Sequence, residues 1–209
     1  MNLIYIKIMN VDHIRNKFIN NNNFFIHEVV FLKNMLHDAK EKNITVLDFG
    51  GSNLCTFQNY IKPFRYSNKF IITTLDKQQK NHNVQYKYVK YDGINIPYPN
   101  NYFDVVICNF SLHHISLKNR HRIFGELSRV CKYKLIILED ILLNKIGFII
   151  SKIHFICFKQ SPRMTNCMHS PEEWINIMSH YKFKSTRSIN IRGNKPGITH
   201  VMLFFDKVI

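Results

Sequence analysis

The sequence predicts an α/β fold: a Rossmann-like, mostly parallel seven-stranded sheet with helices on both faces and a C-terminal antiparallel β-hairpin. Three observations predict it. Short β-rich apolar runs alternate with helical patterns from Ile44 to Leu138, the order that right-handed strand–helix–strand crossovers produce. The runs end on polar residues, Asp48, Asp76, Asp92, Asn109, Glu139 and Asp140, and open parallel sheets bind ligands at the carboxyl ends of their strands. The chain then closes on two β-rich stretches, Phe183–Ile191 and Ile198–Phe205, joined by the Gly/Asn/Pro turn Arg192–Gly197.

Each element has its own signal. A polar run, Asn20–Asn23, separates a first helical segment from a second, where Phe24, Phe25, Val29, Leu32, Leu36 and Ala39 recur at near-helical spacing within Phe24–Lys42. Ile44–Phe49 reads as a short buried strand followed at once by Gly50-Gly51. Leu54–Ile61 reads as a helix that Pro63 ends. Phe70–Leu75, Val84–Tyr91, Asp104–Cys108 and Lys134–Leu138 read as strands, and Ile123, Leu127 and Val130 give Lys118–Val130 an amphipathic helical face. Ile141–Lys159 reads as an apolar helix. Ser170 can cap the next one, with Pro171 at its first position and Glu173 completing a capping box; Trp174, Ile177, Met178 and Tyr181 then share a face.

A chain of 209 residues is expected to form one domain. Its parts are a helical lead over 1–43, a ligand-binding core over 44–140, a helical cap region over 141–181 and the terminal hairpin over 182–209. The hydrophobic fraction of 45% suits a globular core. No uninterrupted apolar run is long enough to span a membrane: the nearest, Ile141–Phe158, is broken by Asn144, Lys145, Lys152 and His154. Met1–Met9 is too short for a signal peptide and lacks its basic start and cleavage site, so a cytoplasmic location is expected. Cys55, Cys108, Cys131, Cys157 and Cys167 form no CxxC pair, which fits reduced thiols. His154, Cys157, Cys167 and His169 match no common zinc spacing, and no metal site is expected. The net charge of +15 fits a polyanionic partner such as RNA, or an acidic membrane surface. A composition heavy in Lys, Asn and Ile, with its basic residues spread along the chain, accounts for the same charge with no partner at all.

The chemistry converges on strand ends. Gly50-Gly51 allows a tight turn and close backbone approach to a ligand. Asp76, closing the second strand, stands where a carboxylate can accept hydrogen bonds from ribose hydroxyls.

Here the chain resembles class I S-adenosylmethionine (SAM)-dependent methyltransferases, in particular the small-molecule, type 11-like branch. Val46–Leu54, VLDFGGSNL, is similar to the family's first motif, VLDxGxGxG. Lys90–Ile115, with its aspartate, Pro-aromatic-Pro loop, FDVV and LHH, is similar to the third and fourth motifs. Glu126–Asp140 and the SPEEW of Ser170–Trp174 also fit. The resemblance implies SAM as cofactor and a small-molecule methyl acceptor; an RNA or protein acceptor using the basic surface, and a non-catalytic binding module, are the alternatives. It implies that Asp48, Gly50 and Gly51 line the methionine part of SAM, with Ser52 also among the cofactor-binding residues, that Asp76 holds the ribose, that Asp92 and Gly93 meet the adenine, and that Asn109 and Phe110 flank the sulfonium. Plainer roles stand beside these: Asp48 can cap the loop amides and Asp92 can be a turn residue before Gly93.

For a base, the candidates are His113, His114 and Asp140, with Glu139 beside them; His114 can instead tie its loop to the backbone, and Asp140 can anchor the loop after it. The chain departs from the family pattern at Ser52 and Leu54, which replace the second and third glycines. Lys132-Tyr133-Lys134 replaces a Pro-Gly-Gly turn, and Asp76 follows Gly50 by more than the roughly 20 residues usual. Asn109-Phe110-Ser111-Leu112 lacks the prolines of enzymes acting on exocyclic base nitrogens. Ile141–Met168, rich in Phe, Ile and Met, can wall an acceptor pocket or simply fill a core.

Overall fold

In the computed structural model the strand β1 (Ile44–Phe49) pairs in parallel with β2 (Phe70–Asp76) on one side and β4 (Phe103–Asn109) on the other. Beyond β2 lies β3 (Tyr88–Lys90), and beyond β4 lies β5 (Cys131–Leu142), both parallel. The hairpin strands β6 (Phe183–Ile191) and β7 (Ile198–Lys207) complete the sheet, with β7 antiparallel to β5, in the order β3-β2-β1-β4-β5-β7-β6. The structure describes residues 25–38, 43–52, 55–64, 67–78, 87–157, 168–193 and 196–208. Asn20–Asn23 and Leu54 lie outside them, as does Cys167. The chain order reverses between β1 and β4, so the crevice of an open α/β sheet opens at their carboxyl ends.

Alternation along the strands builds two cores. Ile44, Val46, Ile72, Val105, Ile107, Ile136 and Leu138 face α1 (Ile26–Asp38) and α2 (Thr56–Ile61), where Phe25, Val29, Leu32 and Phe57 meet them. Leu47, Phe49, Val106, Cys108, Leu135 and Ile137 face the other way, onto Ile123, Phe124 and Leu127 of α3 (Leu117–Val130) and Trp174 and Met178 of α5 (Pro171–Ser179). The period of two continues to the strand ends. On the α1 side it delivers Asp48 after Val46, Thr74 and Asp76 after Ile72, and Asn109 after Ile107. One face of the sheet therefore turns from apolar to polar at its carboxyl edge.

The capping box forms as the sequence predicts: the Glu173 amide donates to Ser170 Oγ at 3.2 Å, and the Ser170 amide to Glu173 Oε2 at 2.7 Å. The fifth strand differs. It was expected over Lys134–Leu138 with Glu139 and Asp140 at its end, but β5 runs on to Leu142, because β7 supplies ladder partners that a local pattern does not reveal: Glu139 opposite Val201, Asp140 opposite His200 and Leu142 opposite Ile198. The helix expected from Ile141 accordingly begins later, as α4 (Lys145–Cys157), where Asn144 Oδ1 accepts from the amides of Ile146 and Gly147. At the other end β5 leaves α3 directly at Cys131, already extended, so no Pro-Gly-Gly turn is needed.

Candidate functional site

A cavity of about 410 Å³ opens at the carboxyl ends of β1, β2 and β4. Phe49, Gly50, Asp76, Tyr91, Gly93, Phe110, Ser111 and His114 line it, with Asn119 and Ile123 of α3.

The loop after β1 is held to the edge of the cavity by close contacts. Gly50 turns with φ +69°, its amide donates to the Leu75 carbonyl at 2.8 Å, and a Cβ here would lie 2.6 Å from Ser111 Cβ. At Gly51 a Cβ would lie 1.9 Å from Asp48 Oδ2, so the buried Asp48 carboxylate occupies the space that the missing side chain leaves. The same oxygen accepts from Thr74 Oγ1 at 3.0 Å. Ser52 stands where the family pattern has its second glycine, yet keeps a left-handed backbone, φ 64°, at a cost of about 1–2 kcal/mol for a residue with a Cβ. Its amide donates to Asp76 Oδ2 at 3.0 Å, while Asp76 Oδ1 accepts from the Gln78 amide at 3.0 Å. Asp76 thus ties the β1 loop to the β2 loop and still borders the cavity.

The loop after β4 is held from behind. Glu139, fully buried in β5, accepts from the Leu112 amide at 2.7 Å on one oxygen and contacts His113 Nδ1 with the other. Burial alone would push the His113 imidazole down, but the Glu139 carboxylate outweighs it and raises the pKa. His113 is therefore a buried support. His114, one residue on, is exposed and borders the cavity, with its ring 4.1 Å from that of His113. Asp140, expected as a strand-end acid, is mid-strand and meets His200 Nδ1 at 2.7 Å; the His200 ring packs edge-on against Phe110.

The remaining predicted residues are distributed around this frame, some of them outside the cavity lining. Asp92 is exposed, outside the cavity lining, and its oxygens accept from the amides of Ile94 and Asn95 and from Asn95 Nδ2, which hold its carboxyl below the usual range. Its neighbour Gly93, φ +88°, does line the cavity. Asn109 is buried beneath the loop. Of the cysteine–histidine set, His169 contacts Arg120 at 2.5 Å and packs on Trp174; the side chains of His154, Cys157 and Cys167 lie outside the described residues.

Sequence reasoning missed Glu28. It is 0% exposed, on α1, facing Asp48 and Asn109. Among the described residues neither Glu28 oxygen and neither Asn109 amide atom makes a hydrogen bond of good geometry, although the Asn109 side chain lies close enough to Glu28 to favour its charged form. Burial first, then the Asp48 carboxylate, hold the Glu28 carboxyl well above its ordinary range, with Asn109 pulling the other way. The signal was available: Glu28 interrupts the apolar stripe of Phe25, Val29 and Leu32. Tyr91 and Asn119 were also missed, since neither carries a local pattern.

Residues 51–136 match the family model described as a methyltransferase domain. The match runs from the loop after β1 into β5, about two fifths of the chain. Solved methyltransferase structures share the fold of this chain at low identity. A SAM-dependent methyltransferase from Aquifex aeolicus is 19% identical, with 84% of this chain and 89% of that one covered at a TM-score of 0.56. The 1,6-didemethyltoxoflavin-N1-methyltransferase of Burkholderia thailandensis, with bound 1,6-didemethyltoxoflavin and S-adenosylhomocysteine, is 11% identical, covering 98% and 89% at 0.58. The geranyl diphosphate C-methyltransferase of Streptomyces coelicolor, with Mg2+, geranyl diphosphate and S-adenosylhomocysteine, is 12% identical, covering 87% and 82% at 0.59. No curated protein matches the chain.

Proposed function

We propose that this chain is a methyltransferase that transfers the methyl group of SAM to a small-molecule acceptor held over the cavity between the β1 and β4 ends. The observation that carries the reading is that cavity with Asp76 in its wall, while the buried polar group of Glu28, Asp48 and Asn109 lies outside the lining.

The residues present fit the cofactor. When bound, SAM supplies an electrophilic methyl on a sulfonium. Asp76 keeps lone-pair sites beyond the two backbone amides it accepts, enough for ribose hydroxyls. Tyr91 and Gly93 border the space for the adenine, and Asp92 fixes the loop that carries Gly93. Gly50 lines the cavity, Gly51 leaves room for the Asp48 carboxylate, and Ser52 preserves the turn. Glu28, Asp48 and Asn109 form a buried, acid-rich group suited to an ammonium, the cationic end of an amino acid. Buried polar atoms with so few good partners are rare and costly, and a cationic ligand reaching them would offset that cost.

The chain's part in the reaction is mainly proximity and orientation. His114 borders the cavity and is the residue placed to take a proton from an acceptor that must lose one. His113 and Asp140 act behind it: the first orients the loop through Glu139, the second positions His200 against Phe110. The similar proteins solved with small molecules bound support a small acceptor, and Phe155 of α4 packs on both histidines and so backs His114 from outside the cavity lining.

Calorimetric titration with S-adenosylhomocysteine and a methyl-transfer assay with labelled SAM test the reading. Saturable binding that Asp76→Ala weakens at least tenfold is expected. Absence of binding, or wild-type binding by Asp76→Ala, overturns it.

A further inference from the structure

Helix α4 buries Gly147, Ser151 and Phe155 and exposes a stripe of isoleucines. Ile146, Ile149, Ile153 and Ile156 are each 54–58% exposed, and Leu143 just before them is 63% exposed. Their spacing of three and four sets the isoleucines in one stripe along the helix.

The orientation is fixed from within. A Cβ on Gly147 would lie 2.0 Å from the Gly197 carbonyl oxygen, so only glycine fits where α4 crosses the β6–β7 connection. Ser151 Oγ contacts Met168 Sδ at 3.3 Å, and the Phe155 ring packs against His113 and His114. Turning the helix to hide its isoleucines would drive a large side chain into backbone.

Charge selects the occupant of this face. Residues 143–167 contain Lys145, Lys152, Lys159 and Arg163 and no acidic residue, in a chain of net charge +15. Lys145 and Lys152 sit on α4 itself and are exposed beside the stripe. Apolar side chains flanked by lysines match the boundary between anionic headgroups and acyl chains. A second copy would bring two strongly cationic chains together, which their charge opposes. A single-stranded nucleic acid would be met by aromatic rings and arginines rather than by isoleucines. The helix, 13 residues long, is too short to span a bilayer.

We propose that α4 docks this protein on an anionic lipid surface, lying in the interface with Ile146, Ile149, Ile153 and Ile156 inserted. Because Phe155 on its inner face touches His114, docking sets the cavity one side-chain layer from the membrane-facing helix. The inference is independent of the methyl-transfer reading.

Vesicle flotation of the full chain tests it, using phosphatidylcholine vesicles with and without phosphatidylserine. The protein should float with the serine-lipid vesicles and fall back about tenfold without them, or in high salt. A variant carrying Ile146→Ser, Ile149→Ser, Ile153→Ser and Ile156→Ser, with an unchanged circular dichroism spectrum, should not float. Should the quadruple variant not fold, Ile149→Lys alone gives the same reading, since a charge at the centre of the stripe opposes insertion. Three results overturn the proposal: a wild type that stays with the protein fraction, a folded variant that floats like it, or a wild-type dimer that the substitutions convert to monomer. Loss of polyuridylate binding in a variant that still floats would also overturn it, by assigning the stripe to RNA.

Discussion

His113 and Glu139 form a single buried imidazole–carboxylate pair behind the loop that follows β4, and the loop's Leu112 amide rests on the second oxygen of the same carboxylate. The pair converts a strand residue into the support of the cavity wall. Its neighbour His114 is left to border the cavity from a backbone held on two sides.

Removing the carboxylate should therefore damage stability before chemistry. Glu139→Ala leaves the Leu112 amide and His113 without their partner, a loss of about 3–5 kcal/mol for a broken buried pair. The lowered urea midpoint, at unchanged slope, measures it. The pH dependence has a definite sign. His113 has a raised pKa, so its contribution is fully present below the unfolded histidine value and is lost as pH rises through the folded one. The stability difference between wild type and His113→Asn should shrink with rising pH above about 6.5. A difference that stays constant from acid to alkaline pH contradicts the pairing.

Gly51→Ala should be severe for a reason that lies in one atom. The new Cβ falls on Asp48 Oδ2, and that oxygen is already engaged by Thr74. Overpacking of this kind costs about 1–3 kcal/mol. Asp48→Ala in the same chain removes the obstacle, so the double variant should be more stable than the two single losses predict. Thermal melts of the four proteins provide the cycle; simple additivity counts against the contact.

The sheet was legible because each strand is short, apolar and bounded by turn residues, and the strand-end acids Asp48 and Asp76 were legible because alternation fixes which residue comes last. Ser170–Glu173 was legible because a capping box is local. Glu139 was not, since its length of strand is set by pairing with Val201 on β7, far along the chain. The separate duties of His113 and His114 depend on which side of a single turn each falls, and two adjacent histidines look alike in sequence. Glu28 was missed because its neighbours Phe25, Val29 and Leu32 made α1 read as an ordinary buried stripe.

Asp76→Asn should weaken every ligand that carries the ribose. The variant retains one acceptor but loses the charge that strengthens hydrogen bonds, worth about 1.5–3 kcal/mol, or about ten- to a hundredfold in affinity. Calorimetry with S-adenosylhomocysteine and with 5′-methylthioadenosine, which lacks the amino-acid tail, should show equal losses. A loss confined to one of the two ligands would assign Asp76 elsewhere.

Glu28→Gln should give the complementary result. An ammonium beside Glu28 and Asp48 gains from their charge, so S-adenosylhomocysteine should bind at least tenfold more weakly to the variant, while 5′-methylthioadenosine should bind as before. Because burial and Asp48 raise the Glu28 carboxyl, a cationic ligand favours its ionised form, and binding should release a proton. The heat of binding then depends on the ionisation enthalpy of the buffer for wild type, and that part of the dependence disappears in Glu28→Gln. The unliganded protein shows the same linkage with the sign of a raised acid: its stability falls as pH rises from the unfolded glutamate value, about 4.3, through the folded one. Glu28→Gln cannot ionise, so its melting temperature should exceed that of wild type at alkaline pH by a margin that narrows toward acid. Equal loss of both ligands, with buffer-independent heats, would leave Glu28 a core residue rather than a ligand-binding one.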